Sequence, residues 1–312
     1  MSRAIAITQT LSILVLMSLG TVLIKWTLSN VSPITMTWLP VAIGMLVLGG
    51  YTFGLRRERI PAGLGRQVWL YIIAIGVCNF VIVRLGLTLS LERLPATTQM
   101  YLVNFVGFIT MGMSIFILKE SPTIFQILGA VIAFAGLRVF FDAVPSTYEL
   151  VGVAIIVVSI IALAYTNNIA RKLAIVTDYQ LSNNIISTMA LLIGGSLMVL
   201  IGVSIDWPPQ VGSWQNWSVI LYAGIIMIGL SMSVWNYILR TLRSYEASIL
   251  GASTVIWTAL IAIPILGEQL TLNEIIGIVL MIAGLSLVQV RGGKLGTLWQ
   301  RFNRRPAKSY KP

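Results

Sequence analysis

The segment Leu266–Leu285, LGEQLTLNEIIGIVLMIAGL, decides how this chain is read, because it occurs twice. Its counterpart, Leu118–Leu137, LKESPTIFQILGAVIAFAGL, lies 148 residues earlier. Aligned without a gap, the two share nine of twenty positions: Leu118/Leu266, Glu120/Glu268, Thr123/Thr271, Ile127/Ile275, Gly129/Gly277, Val131/Val279, Ala135/Ala283, Gly136/Gly284 and Leu137/Leu285. Each copy closes one apolar run, turns at a Glu, and opens a second run with glycines seven apart. Apolar composition favours neither the shared Glu nor the shared Gly, so the repeat implies two halves built alike. The repeat reaches further back. At an offset of 145, Thr21, Ile24, Leu28, Val31, Gly49 and Gly50 fall on Thr166, Ile169, Leu173, Val176, Gly194 and Gly195, and the offset drifts to 148 after a small loop insertion.

The composition sets the solvent in which these halves fold. Of the 312 residues, 57% are apolar and 10% charged, against about 25% charged in a soluble domain. The chain therefore reads as an all-α integral membrane protein. Ten stretches meet the roughly 20 apolar residues that one crossing needs, near 5–28, 33–54, 68–90, 95–118, 122–141, 149–170, 181–203, 216–239, 246–267 and 272–290. The first run is longer than a signal-peptide core and has no clear cleavage site, so it reads as a retained span. Pro33, Pro95 and Pro122 are expected in the first turn of a helix, and Pro40 and Pro264 inside spans, where they should kink them.

Lys and Arg give the orientation. Arg3, Arg56, Arg57, Arg59, Arg66, Lys119, Arg171, Lys172, Arg240, Arg243 and seven basic residues of the tail, Arg291 to Lys311, fall on one side. That is seventeen of 21. Only Lys25, Arg84, Arg93 and Arg138 belong to the other side, all in or beside a span. The basic side is expected to be cytoplasmic and to hold both termini, with Trp207, Trp214 and Trp217 anchoring the outer interface. Five spans per half is an odd number, so the second half must enter upside down, an arrangement associated with transporters whose site lies at the midplane between the repeats. The expected organisation is a first repeat over 5–142, a second, inverted repeat over 149–290, and a basic tail over 291–312 that meets anionic lipid. The net charge of +11 sits in loops and tail, so it implies no nucleic-acid partner.

Ten spans, two five-span copies and a Glu turn followed by paired glycines in each copy resemble the drug/metabolite transporter superfamily, and more narrowly bacterial EamA-domain transporters. Residues 5–290 carry the resemblance, through Leu118-Lys119-Glu120 with Gly129 and Gly136, and Leu266-Gly267-Glu268 with Gly277 and Gly284. The resemblance implies a cavity lined by spans one, three, four, six, eight and nine, and a small-molecule substrate, with export of amino acids or related metabolites the expected task. It also implies a proline midway along spans four and nine. Here those neighbourhoods read Asn104-Phe105-Val106-Gly107-Phe108 and Ser253-Thr254-Val255-Ile256-Trp257, which leaves the usual shape of the cavity open.

Arg84 is the most expensive side chain in the sequence, because a charge near mid-membrane costs on the order of 2.5–3.5 kcal/mol. One reading is a fixed cation for a substrate carboxylate. The other is a structural pair with Glu92 or Glu268, or snorkelling to the interface. Lys25 lies a turn from the end of span one, where snorkelling competes with a substrate role. Arg138 is similarly placed on span five. Asn79, Gln99, Tyr101 and Asn104 put polar groups on spans three and four; Asn167, Asn168 and Asn236 do so on spans six and eight. Amides within lipid need partners, and helix-to-helix hydrogen bonds compete with substrate contact for each of them. Tyr165, Trp235, Tyr237 and Trp257 add aromatic surface to spans six, eight and nine, suited to a small amphipathic solute. The paired glycines favour close packing of spans five and ten, with a homodimer contact as the weaker alternative. Glu120 and Glu268 are expected to cap the helix that follows each of them.

Catalysis finds no footing: there is no histidine, no zinc-ligand spacing, no phosphate loop and no paired buried carboxylates, and no cofactor is expected. The alternatives to a metabolite exporter are a broad exporter of hydrophobic drugs and a non-transporting membrane scaffold or sensor. The acids all fall in loops or end turns, so facilitated diffusion or solute exchange is expected in place of strict proton coupling.

Overall fold

The computed structural model describes residues 3–61, 63–119, 122–142, 145–178, 181–231 and 250–288. They form ten helices: α1 Arg3–Thr27, α2 Thr35–Leu55, α3 Arg66–Arg93, α4 Ala96–Ile117, α5 Ile124–Phe140, α6 Thr147–Val176, α7 Asn183–Ile205, α8 Trp214–Leu230, α9 Leu250–Leu266 and α10 Leu272–Val288. Six are long and apolar enough to cross a membrane, and α5, α8, α9 and α10 are shorter apolar helices. The rest of the eighth expected span, the start of the ninth, and the tail lie outside the described residues.

Contacts between distant loops define the two ends of the bundle. At the end carrying the basic loops, the Asn184 amide at the start of α7 donates to Glu58 after α2 at 2.8 Å, and the Lys172 ammonium of α6 lies 5.9 Å from the Tyr71 ring near the start of α3. At the opposite end, Asp206 after α7 accepts from the Ser32 hydroxyl before α2 and the Thr35 hydroxyl at its start. There Arg93, closing α3, lies 5.5 Å from the ring of Tyr148, which opens α6. Thus α1 starts at the basic end and α6 at the opposite one, which inverts the second half relative to the first.

Helix starts follow ordinary capping chemistry. Thr123 with Gln126 and Ser146 with Glu149 close reciprocal capping boxes on α5 and α6, and Thr271 with Glu274 does the same for α10. Pro33, Pro95 and Pro122 stand before their helices and not in the first turn, with Pro95 at the N-cap of α4. Pro40 and Pro264 lie inside α2 and α9. The turn after α4 and the turn after α9 repeat one conformation: Lys119 has φ 56° and Gly267, 148 residues on, has φ 70°. Glycine adopts this left-handed geometry freely; lysine does so at a cost of about 1–2 kcal/mol.

The glycine repeat is explained by the most extensive helix contact, α5 against α10. A Cβ added at Gly129 would lie 2.5 Å from the Gly284 carbonyl oxygen, and one at Gly136 would lie 3.0 Å from that of Gly277. The two glycine pairs therefore face one another in antiparallel register within one chain. Gly76 of α3 and Gly194 of α7 make a second backbone-close crossing. Around these seams lie two apolar cores: one of Val41, Ile72, Leu173, Leu191 and Met198 from α2, α3, α6 and α7, the other of Tyr101, Phe105, Ile156 and Met281 from α4, α6 and α10. Large apolar side chains such as Leu46, Phe116 and Leu200 stay exposed, as expected of faces turned to lipid tails.

Candidate functional site

Arg84 follows a π-helical turn, Cys78–Val83, in α3. Its backbone N–H bonds the Asn79 carbonyl, five residues back. Such turns re-aim the side chain that follows and recur at functional sites. Counted from the end of α3, Arg84 lies nine residues in, about 14 Å at helical rise and so near the middle of a ~30 Å hydrocarbon core. Its side chain reaches a cavity bounded by Ile24 of α1, Met36, Thr37 and Pro40 of α2, Thr88 of α3, and Ala223, Met227 and Ile228 of α8. The α8 residues belong to a second π-helical segment, Ala223–Leu230. Two wide turns from opposite halves thus flank one cation.

Among the described residues the Arg84 guanidinium makes no hydrogen bond or ion pair. The two acids that sequence offered as partners are engaged elsewhere: Glu92 pairs with Arg93 at 2.8 Å, and Glu268 holds the start of α4. Arg84 lines the cavity between α1, α2 and α8, which places it with the bundle interior and not at the interface. The cavity measures about 30 Å³, room for one or two waters, since each needs roughly 10–15 Å³. Thr37 and Thr88 supply hydroxyls at its wall, each already donating to a carbonyl four residues back, that of Pro33 and that of Arg84.

The remaining sequence candidates divide by position. The Lys25 ammonium donates to the Leu91 and Glu92 carbonyls, at 2.7 and 3.1 Å, and so satisfies the free C-terminus of α3. Gln99 is fully buried and donates to the Leu87 carbonyl and the Ser90 hydroxyl, tying α4 to α3. Tyr101 is also buried, stacked on Phe140 with ring centroids 3.9 Å apart, in the core against α5 and α10. Its hydroxyl has no partner among the described residues, and it does not line the Arg84 cavity. Asn79 sits within the π turn below Arg84, and Asn104 donates to the Met100 carbonyl of its own helix. Tyr165 is on an exposed face of α6. Trp257 donates to Ser253 one turn back and packs near Ile13 and Leu14 of α1. Asn167 and Asn168 both donate to Thr110 of α4. Arg138 is exposed and donates to the Phe141 carbonyl. Trp235, Asn236, Tyr237 and Glu120 lie outside the described residues.

One expectation needs correction, and one left open is settled. Glu268 does not cap the helix that follows it. Its carboxylate accepts from the Ala96 and Thr97 N–H groups and the Thr97 hydroxyl, 172 and 171 residues away in the first half, while α10 is capped by Thr271 and Glu274. Where the family's prolines are absent, spans four and nine still depart from regular helix. Both break at matching places: Phe105 N–H bonds Leu102 and Phe108 N–H bonds Phe105, and 148 residues on Ser253 bonds Leu250 and Ile256 bonds Ser253, all at 3.0 Å. These three-residue bonds tighten the backbone locally. The cavity lining of Met36, Thr37, Thr88, Met227 and Ile228 went unread in the sequence. Only Thr88 carried a signal, four residues from Arg84 and hence on the same helix face.

The comparisons with known proteins agree with this architecture. A solved crystal structure, described only as that of a protein, superposes with a TM-score of 0.64 at 16% identity, covering 97% of this chain and 100% of that one, and so shares its fold. No curated protein sequence matches the chain. The sequence pattern of the EamA-like transporter family matches twice, over residues 4–142 and 150–290, the two inverted halves that meet around Arg84. The chain belongs to the EamA-like transporter family.

Proposed function

We propose that this membrane transporter carries small organic solutes bearing a carboxylate, such as amino acids or related metabolites, and exports them across a bacterial inner membrane with both termini in the cytoplasm. The observation that carries this reading is Arg84: a permanent cation near mid-depth, facing a cavity between the halves, with no anionic partner among the described residues. A cation held there without compensation is costly, and a substrate carboxylate would offset the cost through charge-assisted hydrogen bonds. The apolar wall of Ile24, Met36, Met227 and Ile228 suits the remainder of a small amphipathic solute. A cavity of water size has to widen to take such a solute, and alternating access by the two inverted halves provides the means. Among the described residues no acid lies beside Arg84 to relay a proton, which supports exchange or facilitated diffusion.

The test is solute flux in proteoliposomes with wild type, Arg84→Ala and Arg84→Lys. One charge-assisted hydrogen bond is worth about 1.5–3 kcal/mol, so Arg84→Ala should lower carboxylate flux about tenfold or more, with a smaller loss for Arg84→Lys and little effect on an uncharged apolar dye. Undiminished carboxylate flux in Arg84→Ala would remove Arg84 from the site and favour a hydrophobic-drug exporter.

A further inference from the structure

We infer that Glu268 is the latch that closes the path to the Arg84 cavity at the end opposite the basic loops, and that it must release in each transport cycle. This rests on the transport reading above and adds a gate to it.

The seal has two parts. The first is an apolar plug one helical turn beyond the cavity. Val22, Leu91, Ala96 and Ala262, from α1, α3, α4 and α9, are buried together there. Ile24 belongs both to the cavity wall and to the residues packed on the plug, and on α3 Leu91 stands one turn beyond Thr88. A solute could not pass between the cavity and that end without parting α9 from α1, α3 and α4.

The second part is polar and crosses between the halves. Pro95 leaves the N-terminus of α4 without a side-chain cap of its own. Its first free N–H groups, on Ala96 and Thr97, are met by the Glu268 carboxylate from beyond α9, at 2.6 and 3.2 Å, with the Thr97 hydroxyl adding a bond at 2.8 Å. Beside it the Lys25 ammonium covers the last carbonyls of α3 and attracts the same carboxylate. The left-handed turn at Gly267 sets where Glu268 points. The helix that the latch holds, α4, is broken at Phe105, and α9, which Glu268 follows, is broken at the matching residue, Ser253. The stretch of each between its break and the latch can therefore tilt when the carboxylate leaves. Water can then solvate both the carboxylate and the freed N–H groups, which keeps the latch reversible.

The test uses the full chain with Cys78→Ser as background. In one arm, Thr88→Cys is labelled in vesicles by a membrane-impermeant maleimide applied from the latch end. Adding Glu268→Ala should speed labelling about tenfold or more, the effect of losing a charge-assisted hydrogen bond on an open–closed equilibrium. In the other arm, Thr97→Cys with Glu268→Cys is joined through disulfides by a short bis-methanethiosulfonate reagent. Cross-linking should stop carboxylate flux, and reduction should restore it. Labelling at the wild-type rate, or undiminished flux through the cross-linked protein, would overturn the latch. Should Glu268→Ala fail to fold, Glu268→Gln, which keeps one acceptor oxygen and loses the charge, takes its place in the labelling arm, and labelling at the wild-type rate there overturns the latch. If wild type itself carries no carboxylate solute, the transport reading fails, and the labelling arm still judges the latch.

Discussion

Gly284→Ala puts a number on the α5–α10 seam. In the closed seam the new Cβ would sit 2.5 Å from the Gly129 carbonyl oxygen, 2.9 Å from the Ala133 nitrogen and 3.0 Å from the Ala133 Cβ. Ordinary contact begins near 3.4 Å, so the helices must part by almost 1 Å. The obstacles are mostly backbone, which no rotamer change can remove. Overpacking of this kind costs about 1–3 kcal/mol, against a gain of about 1 kcal/mol from replacing a helical glycine by alanine. Gly112→Ala in α4 isolates that gain, because a Cβ there meets nothing within 4 Å. Gly284→Ala should therefore be less stable than Gly112→Ala by about 1–3 kcal/mol. Gly129→Ala should behave like Gly284→Ala, and the double variant should cost less than the two separately, because one separation accommodates both methyls. Thermal unfolding of the detergent-purified protein, followed by tryptophan fluorescence, measures all four. Equal melting temperatures for Gly284→Ala and Gly112→Ala would refute the claim that the glycines exist to bring these backbones together.

Three further outcomes are expected. Gln99→Leu should destabilise the protein by about 0.6–2 kcal/mol in the same assay, because it removes the Gln99 donor from the Ser90 hydroxyl and one of the donors from the Leu87 carbonyl within the membrane. A cysteine at Ser213, at the N-cap of α8, should react with an impermeant maleimide on intact cells and one at Ser309 should not; the reverse pattern would invert the proposed orientation. In proteoliposomes, an imposed pH gradient alone should not drive uphill accumulation of solute, while solute loaded on the far side should accelerate flux; accumulation driven by the gradient would bring a proton-carrying group into the cycle.

The ten apolar runs, the excess of Lys and Arg in alternate loops and the duplication at 148 residues were legible in the chain alone, because each is a pattern along the sequence. The first reflects the thickness of a bilayer and the second the cost of charge within it. With five spans per half, inversion followed by counting. The exposure of Arg84 to expense was legible too, since any cation that far into an apolar run is costly wherever it points. Its surroundings were not. That Glu92 and Glu268 turn away from it, and that α1, α2 and α8 wall the cavity, depends on how helices from both halves settle side by side. Tyr101 and Gln99 had the same sequence profile as cavity residues, a polar group in an apolar helix, and packing sent one to the α5–α10 core and the other to α3. Glu268 carried the signature of a local cap, yet Thr271 and Glu274 already satisfy α10 within one turn, while Pro95 leaves the start of α4 in need of an acceptor. Which free N–H groups a carboxylate finds 172 residues away is decided by the three-dimensional meeting of the two halves, where burial makes every unpartnered polar group costly and the nearest satisfied arrangement wins.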